Sequence, residues 1–242
     1  MTIVFLHPVG LDGDCWQFID GAGLGPIVRY TMLSHGDRPL PAEGLSMESF
    51  ADDVVENTSG MLDVVGLSLG GSVAQHVALR HPHRVRSVLV AASAAGGPLR
   101  GTHLARANET QKHGMSGMLD STLQRWFTPA ALARPDDPGV AYARARLLAD
   151  DPEAVAATWR ALSEHNTIDR LGAITLPVTV LHAAEDAAGG LEAKAEMMRH
   201  LPLGRLVVIP GPHMVPLENP TGFHTALVEH LDWVTHEKEK TV

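Results

Sequence analysis

The sequence predicts an α/β fold in which a mostly parallel sheet is flanked by helices and interrupted once by a helical insertion. Three observations carry that expectation. Short apolar runs at 3–6, 27–33, 61–65, 85–91, 178–182 and 206–209 alternate with helix-spaced segments at 47–57, 71–80, 190–200 and 221–235. This is the pattern of βα units whose strands are covered on both faces. A glycine-flanked serine, Gly66-Leu67-Ser68-Leu69-Gly70, joins the third run to the helical segment behind it. Between 97 and 166 the rhythm stops, and Ala, Leu, Arg and Glu replace the β-branched runs.

The first run leads directly into His7-Pro8-Val9-Gly10-Leu11, a loop at the carboxyl end of a strand, which is the edge where open α/β sheets bind ligands. The third run ends in the Ser68 pentapeptide. A strand, a sharp glycine-flanked turn and a helix form a nucleophile elbow, which pushes the serine hydroxyl clear of the sheet. An ordinary strand-to-helix turn would carry the same glycines, so the reading depends on partners further along the chain. In the interval 97–166, Pro129, Pro135, Pro138 and Pro152 stand at expected helix starts and breaks. That interval is expected to be a helical lid, with 1–96 and 167–242 forming the core around it.

A serine hydroxyl is a weak nucleophile and needs a histidine base oriented by an acid. The fifth run is followed by Ala183-Ala184-Glu185-Asp186, and the sixth by Pro210-Gly211-Pro212-His213. The order serine, acid, histidine is the one expected on such a sheet. Asp186 is the expected acid, with its neighbour Glu185 as the alternative, and His213 is the expected base. The two amide donors for a tetrahedral oxyanion are expected from Leu69, next after the serine, and from Val9, because Pro8 has no N–H. A simple proline turn is the alternative for that loop.

The chain resembles the α/β-hydrolases, and within them the 3-oxoadipate enol-lactonase-like group. The resemblance rests on the His7–Gly10 loop, the Ser68 elbow with Gln75 behind it, Arg125-Trp126-Phe127, Asp169-Arg170-Leu171 before Leu176-Pro177, Asp186, and His213 with Glu218-Asn219-Pro220. It implies the α/β-hydrolase fold and cleavage of a small ester or lactone through an acyl-enzyme. Hydrolysis of a carbon-carbon bond in a ring-cleavage diketone, or low-turnover binding of a small molecule, is the alternative on the same residues. The chain departs from the group at Pro8, where glycine is usual, and in Leu33-Ser34-His35-Gly36-Asp37-Arg38-Pro39, which leaves His35 without an assigned role.

Substrate contacts are expected from Arg106 or Arg125, as partners of a substrate carboxylate, and from Leu11, Trp16, Trp126 and Met214 as pocket walls. The alternative leaves both arginines in solvent and Trp126 in the core of the lid. The formal net charge of −9 and pI near 5.8 oppose a nucleic-acid partner. No apolar stretch is long enough to span a bilayer. No cofactor is expected, since no phosphate-binding glycine loop follows a strand, and no metal, since His182 and Glu185 have no third ligand in a recognisable spacing. A single cysteine, Cys15, and the absence of a leader before the first strand point to the cytoplasm. The end, His236-Glu237-Lys238-Glu239-Lys240, is expected to be a frayed tail. Oligomeric state is not encoded in any of these features.

Overall fold

The structure, a computed structural model, describes residues 1–96, 99–187 and 189–240. Six strands form one sheet: β1 Thr2–Leu6, β2 Ile27–Tyr30, β3 Leu62–Leu67, β4 Val85–Ala91, β5 Val178–Ala183 and β6 Gly204–Ile209. Their order is β2-β1-β3-β4-β5-β6, and every pairing is parallel. Val4, Val64, Val88 and Val178 stand side by side across four strands. All four are buried, because helices cover both faces, and each buried valine contributes roughly 1.5–3 kcal/mol of hydrophobic stabilisation.

The covering helices are α1 Met47–Glu56, α2 Leu69–Arg80, α7 Leu191–His200 and α9 Pro220–Glu239, the last preceded by the single turn α8 Val215–Glu218. Ser46 begins α1 with a reciprocal capping box to Ser49. α9 is longer than expected. It continues through His236, Lys238 and Glu239, with His236 Nδ1 2.7 Å from the Asp232 carbonyl. The mixed charges of that tail fall where a helix terminus accommodates them, so the expected fraying is corrected to a final helical turn.

Between β4 and β5 lie α3 Arg100–Trp126, α4 Pro129–Leu132, α5 Pro138–Ala149 and α6 Pro152–Ser163. Prolines open three of them at the first helical position, where a missing N–H costs nothing. α3 is broken at Gly114, whose φ of 66° and ψ of −178° are not helical. The boundary residues Gly97 and Pro98 lie outside the described residues.

Remote from the strand ends that carry the candidate site is a buried polar network. Arg86 forks onto Asp63 at 2.8 and 2.7 Å, and Ser87 donates to the same carboxylate. Ser87 in turn accepts from His230 Nε2 at 3.0 Å, and His230 Nδ1 meets the Thr179 hydroxyl at 2.7 Å. Burial pushes His230 down to about 3, so its ring is neutral.

Candidate active site

Ser68 stands between β3 and α2 with φ 55° and ψ −113°, a conformation costly for a residue with a Cβ. The strain is imposed by the close approach of strand, turn and helix. A Cβ on Gly66 would come within 2.1 Å of the Gly70 carbonyl oxygen, and one on Gly70 within 2.1 Å of the Leu6 carbonyl oxygen. Only glycine fits at either position. The Ser68 N–H donates to the Ala91 carbonyl at 2.9 Å, which fixes the turn to the end of β4. Leu69 is the first residue of α2, so its N–H has no intrahelical acceptor.

The loop after β1 is tied down at His7. Its carbonyl accepts the Gly70 N–H at 3.1 Å, and its Nε2 accepts the Met32 N–H at 2.9 Å. Nδ1 therefore carries the proton and donates to the Pro8 carbonyl at 2.8 Å. Burial holds His7 neutral, with a pKa well below the usual histidine value. His35 packs edge-on against it at 4.7 Å and is held down to about 4, again chiefly by burial. The residue left without a role in the sequence is thus a support for His7. Val9 lines the cavity beside Ser68.

Two loops at the far side of the sheet converge. Ala184 and Glu185 donate their N–H groups to the carbonyls of Ile209 and Gly211, each at 2.9 Å, which brings the loop after β5 against the loop after β6. His213 Nδ1 then lies 2.9 Å from Asp186 Oδ1. A carboxylate accepts, so Nδ1 bears the proton and Nε2 is the basic nitrogen. The Asp186 side chain is fully buried, whereas Glu185 is exposed. Lys194, a buried cation of α7 that no sequence motif marks, has its Nζ 4.0 Å from Asp186 Oδ2 and donates to the Gly189 carbonyl at 2.9 Å.

Ser68 and His213 open onto one cavity of about 110 Å³. α3 and α6 roof it with His103, Arg106, Arg125, Trp126, Trp159 and Leu162, and Ala92 to Ala94 form its floor. Among the described residues its lining holds three arginines and no carboxylate. Arg100 is occupied by Glu164 at 2.7 Å, and Arg106 lies over the Trp159 ring at 5.5 Å. Arg125 differs. Among the described residues its Nη1 is buried without a hydrogen-bond partner, an arrangement that costs desolvation unless a ligand acceptor fills it.

Three expected pocket walls are corrected. Leu11, Trp16 and Met214 are completely buried and none lines the cavity. Trp16 packs its ring on Phe5 at 4.8 Å and on Phe223 at 5.3 Å, so it anchors the short turn Gly13–Trp16 in the core beneath the loop. Met214 contributes its backbone, donating to the Trp126 carbonyl at 3.1 Å. Among the described residues no group of three or more His, Cys, Asp or Glu is arranged to hold a metal ion, and no helix is long and apolar enough to cross a membrane.

Comparison with known proteins agrees with this architecture. The chain is 25% identical over 229 residues to 3-oxoadipate enol-lactonase 1 of Acinetobacter baylyi, covering 92% of this chain and 85% of that one. It is 31% identical over 225 residues to a pimeloyl-[acyl-carrier protein] methyl ester esterase of Aromatoleum aromaticum, covering 84% and 87%. The crystal structure of the enol-lactonase from Burkholderia xenovorans LB400 superimposes with a TM-score of 0.87 at 24% identity over 96% of this chain and 91% of that one, a likeness of fold. Residues 3–226 match the family model described as the alpha/beta hydrolase family. With its parallel sheet and its glycine-cradled serine turn, the chain belongs to the alpha/beta hydrolase family.

Proposed function

We propose that this hydrolase cleaves a small ester or lactone bearing an anionic group, through an acyl-enzyme on Ser68. The observation that carries the reading is the 2.9 Å contact of His213 Nδ1 with Asp186 Oδ1, in a histidine that shares one cavity with Ser68. That contact leaves Nε2 free to take the serine proton as the hydroxyl attacks the substrate carbonyl, forming the Ser68 Oγ–carbon bond. The N–H groups of Val9 and Leu69 receive the oxyanion, and His213 then protonates the departing alkoxide. Water, deprotonated by His213, attacks the acyl carbon; the Ser68 Oγ–carbon bond breaks, His213 returns the proton to Oγ, and the acid leaves. The relatives named as an enol-lactonase and a methyl ester esterase support an acyl-oxygen bond as the target.

The anionic group is inferred from a roof that offers arginine and no carboxylate, with Arg125 as the anchor. The roof helices serve as the lid of this reading. The cytoplasm is its compartment, on the single cysteine Cys15, buried and unable to pair within the chain. The test is turnover across short esters, lactones and ring-cleavage diketones, combined with a fluorophosphonate label located by mass spectrometry. Ester or lactone turnover with the label on Ser68 is expected. Label elsewhere, or turnover confined to the diketones, overturns the reading.

A further inference from the structure

The loop that carries Val9 is held by helix α5 through a carboxylate that the proposed chemistry does not use. Asp12 follows that loop directly. Its Oδ1 accepts the Tyr142 hydroxyl at 2.7 Å and the Asp14 N–H at 3.0 Å, and the Asp12 N–H reaches back to the Tyr142 oxygen at 3.4 Å. Its Oδ2 lies 3.1 Å from Arg146 Nε, and Arg146 is paired on its other side with Asp150. One position further along α5, Leu147 crowds Gly10 so closely that a Cβ there would stand 2.8 Å from Leu147 Cδ2. Tyr142 and Arg146 are four residues apart on one face of the helix, so both meet the same carboxylate.

At its other end the loop is fixed by the bonds of His7 to Gly70 and Met32. Only Pro8, Val9, Gly10 and Leu11 lie between the two anchors. The Pro8–Val9 peptide is held at its carbonyl by His7 Nδ1 at 2.8 Å and by the Leu11 N–H at 3.4 Å, and Asp12, next after Leu11, fixes the far end of that turn. The network is a poor device for stability alone. Arg146 and Asp150 are largely buried, and ions taken out of water return little net stabilisation compared with apolar packing. α5 already buries Val140, Ala143 and Leu147 for that purpose.

We propose that Tyr142 and Arg146 are positioning residues which, acting through Asp12, aim the Val9 N–H at the oxyanion. The proposal rests on the reading of Val9 as an oxyanion donor. Because preorganised donors act on charge that develops only in the transition state, loosening the clamp should lower kcat and spare substrate binding.

The experiment compares Tyr142→Phe, Arg146→Lys, Asp12→Ala and the Tyr142→Phe/Asp12→Ala pair with wild type. Each is assayed for kcat and KM on p-nitrophenyl acetate, for affinity toward phenylboronic acid, whose tetrahedral serine adduct places an oxygen in the same hole, and toward acetate. For Tyr142→Phe, kcat and boronate affinity are expected to fall together by about tenfold, with KM and acetate affinity within about twofold of wild type. The double variant should lose no more than Asp12→Ala alone, because both act through one carboxylate. Should Tyr142→Phe not fold, Arg146→Lys gives the same comparison. Unchanged kcat and boronate affinity overturn the proposal, as does a parallel loss of acetate, substrate and boronate binding, which would mean that α5 only shapes the cavity. A wild type that forms no boronate adduct overturns the serine reading itself, and does so before any α5 variant is assayed.

Discussion

The backbone N–H of Met214 donates to the carbonyl of Trp126 at 3.1 Å, so the residue next to His213 is fastened to the last turn of α3. Four residues further on, Glu218 accepts both the N–H and the hydroxyl of Thr128. Roof and His213 loop are therefore joined twice.

Glu218→Ala leaves the Thr128 N–H and hydroxyl without acceptors in a half-buried site. The expected cost is about 1–3 kcal/mol, a fall in Tm of several degrees for a chain of this size. kcat should fall with it because His213 loses its support. Calorimetry and steady-state kinetics on the same preparation check both, and an unchanged Tm would show that the second join is idle.

Ser68→Gly removes the proposed nucleophile and the Cβ that makes φ 55° costly. Turnover should drop on the order of 10⁴-fold or more. Tm should hold or rise, because relief of strain worth about 1–3 kcal/mol offsets the added freedom of glycine in the unfolded chain. Ser68→Ala, which keeps the strain, should be equally inactive and the less stable of the two. The reverse ranking of the two melting points would show that the turn is unstrained.

Arg125→Leu should raise KM for carboxylate-bearing lactones by about tenfold to a hundredfold, the worth of a charge-assisted pair, and leave neutral esters nearly unaffected. Arg106→Leu should have the smaller effect, since that guanidinium is already engaged over Trp159. Equal KM changes on matched neutral and anionic substrates would remove the anchor.

Acid should destabilise the fold through its buried neutral histidines. Burial holds His35, His76, His103 and His165 down to about 4 and His230 to about 3. The unfolded chain takes up these protons near pH 6.5 and the folded chain does not, so stability is complete above that pH and lost as the pH falls toward 4. Each histidine contributes a slope of up to about 1.4 kcal/mol per pH unit. Asp150, raised by burial to about 6, works in the opposite direction but is a single group against five. Urea midpoints at pH 7.5, 6.5 and 5.5 should decrease in that order, and a flat series would refute the buried neutral histidines.

The elements with strict apolar runs were legible in the sequence, and β4 matches its expected range of 85–91. β3 runs two residues beyond the expected end, through Gly66 and Leu67, because the strand continues to the elbow rather than stopping at its glycine. The residues proposed as serine, acid and histidine each follow a strand at the ligand-binding edge, and it is that placement which the sequence makes legible. The pocket walls were less so. Leu11 and Met214 adjoin site residues in sequence, but neighbouring side chains leave an irregular loop on different sides, and these two face the core. Lys194 carried no signal at all, since its approach to Asp186 depends on how α7 packs back beneath the loop after β5.

The break at Gly114 divides the labour of the roof. The half of α3 before it carries His103 and Arg106, while the half after it carries Arg125 and Trp126 and is the half bound to the His213 loop. Substitutions in 100–113 can therefore reshape what enters without disturbing the alignment of the reacting groups, whereas changes in 115–126 alter both at once. Selection for a new substrate has an inexpensive route through the first half, and a library confined to those fourteen positions should yield altered preference at preserved kcat far more often than one spread over the second.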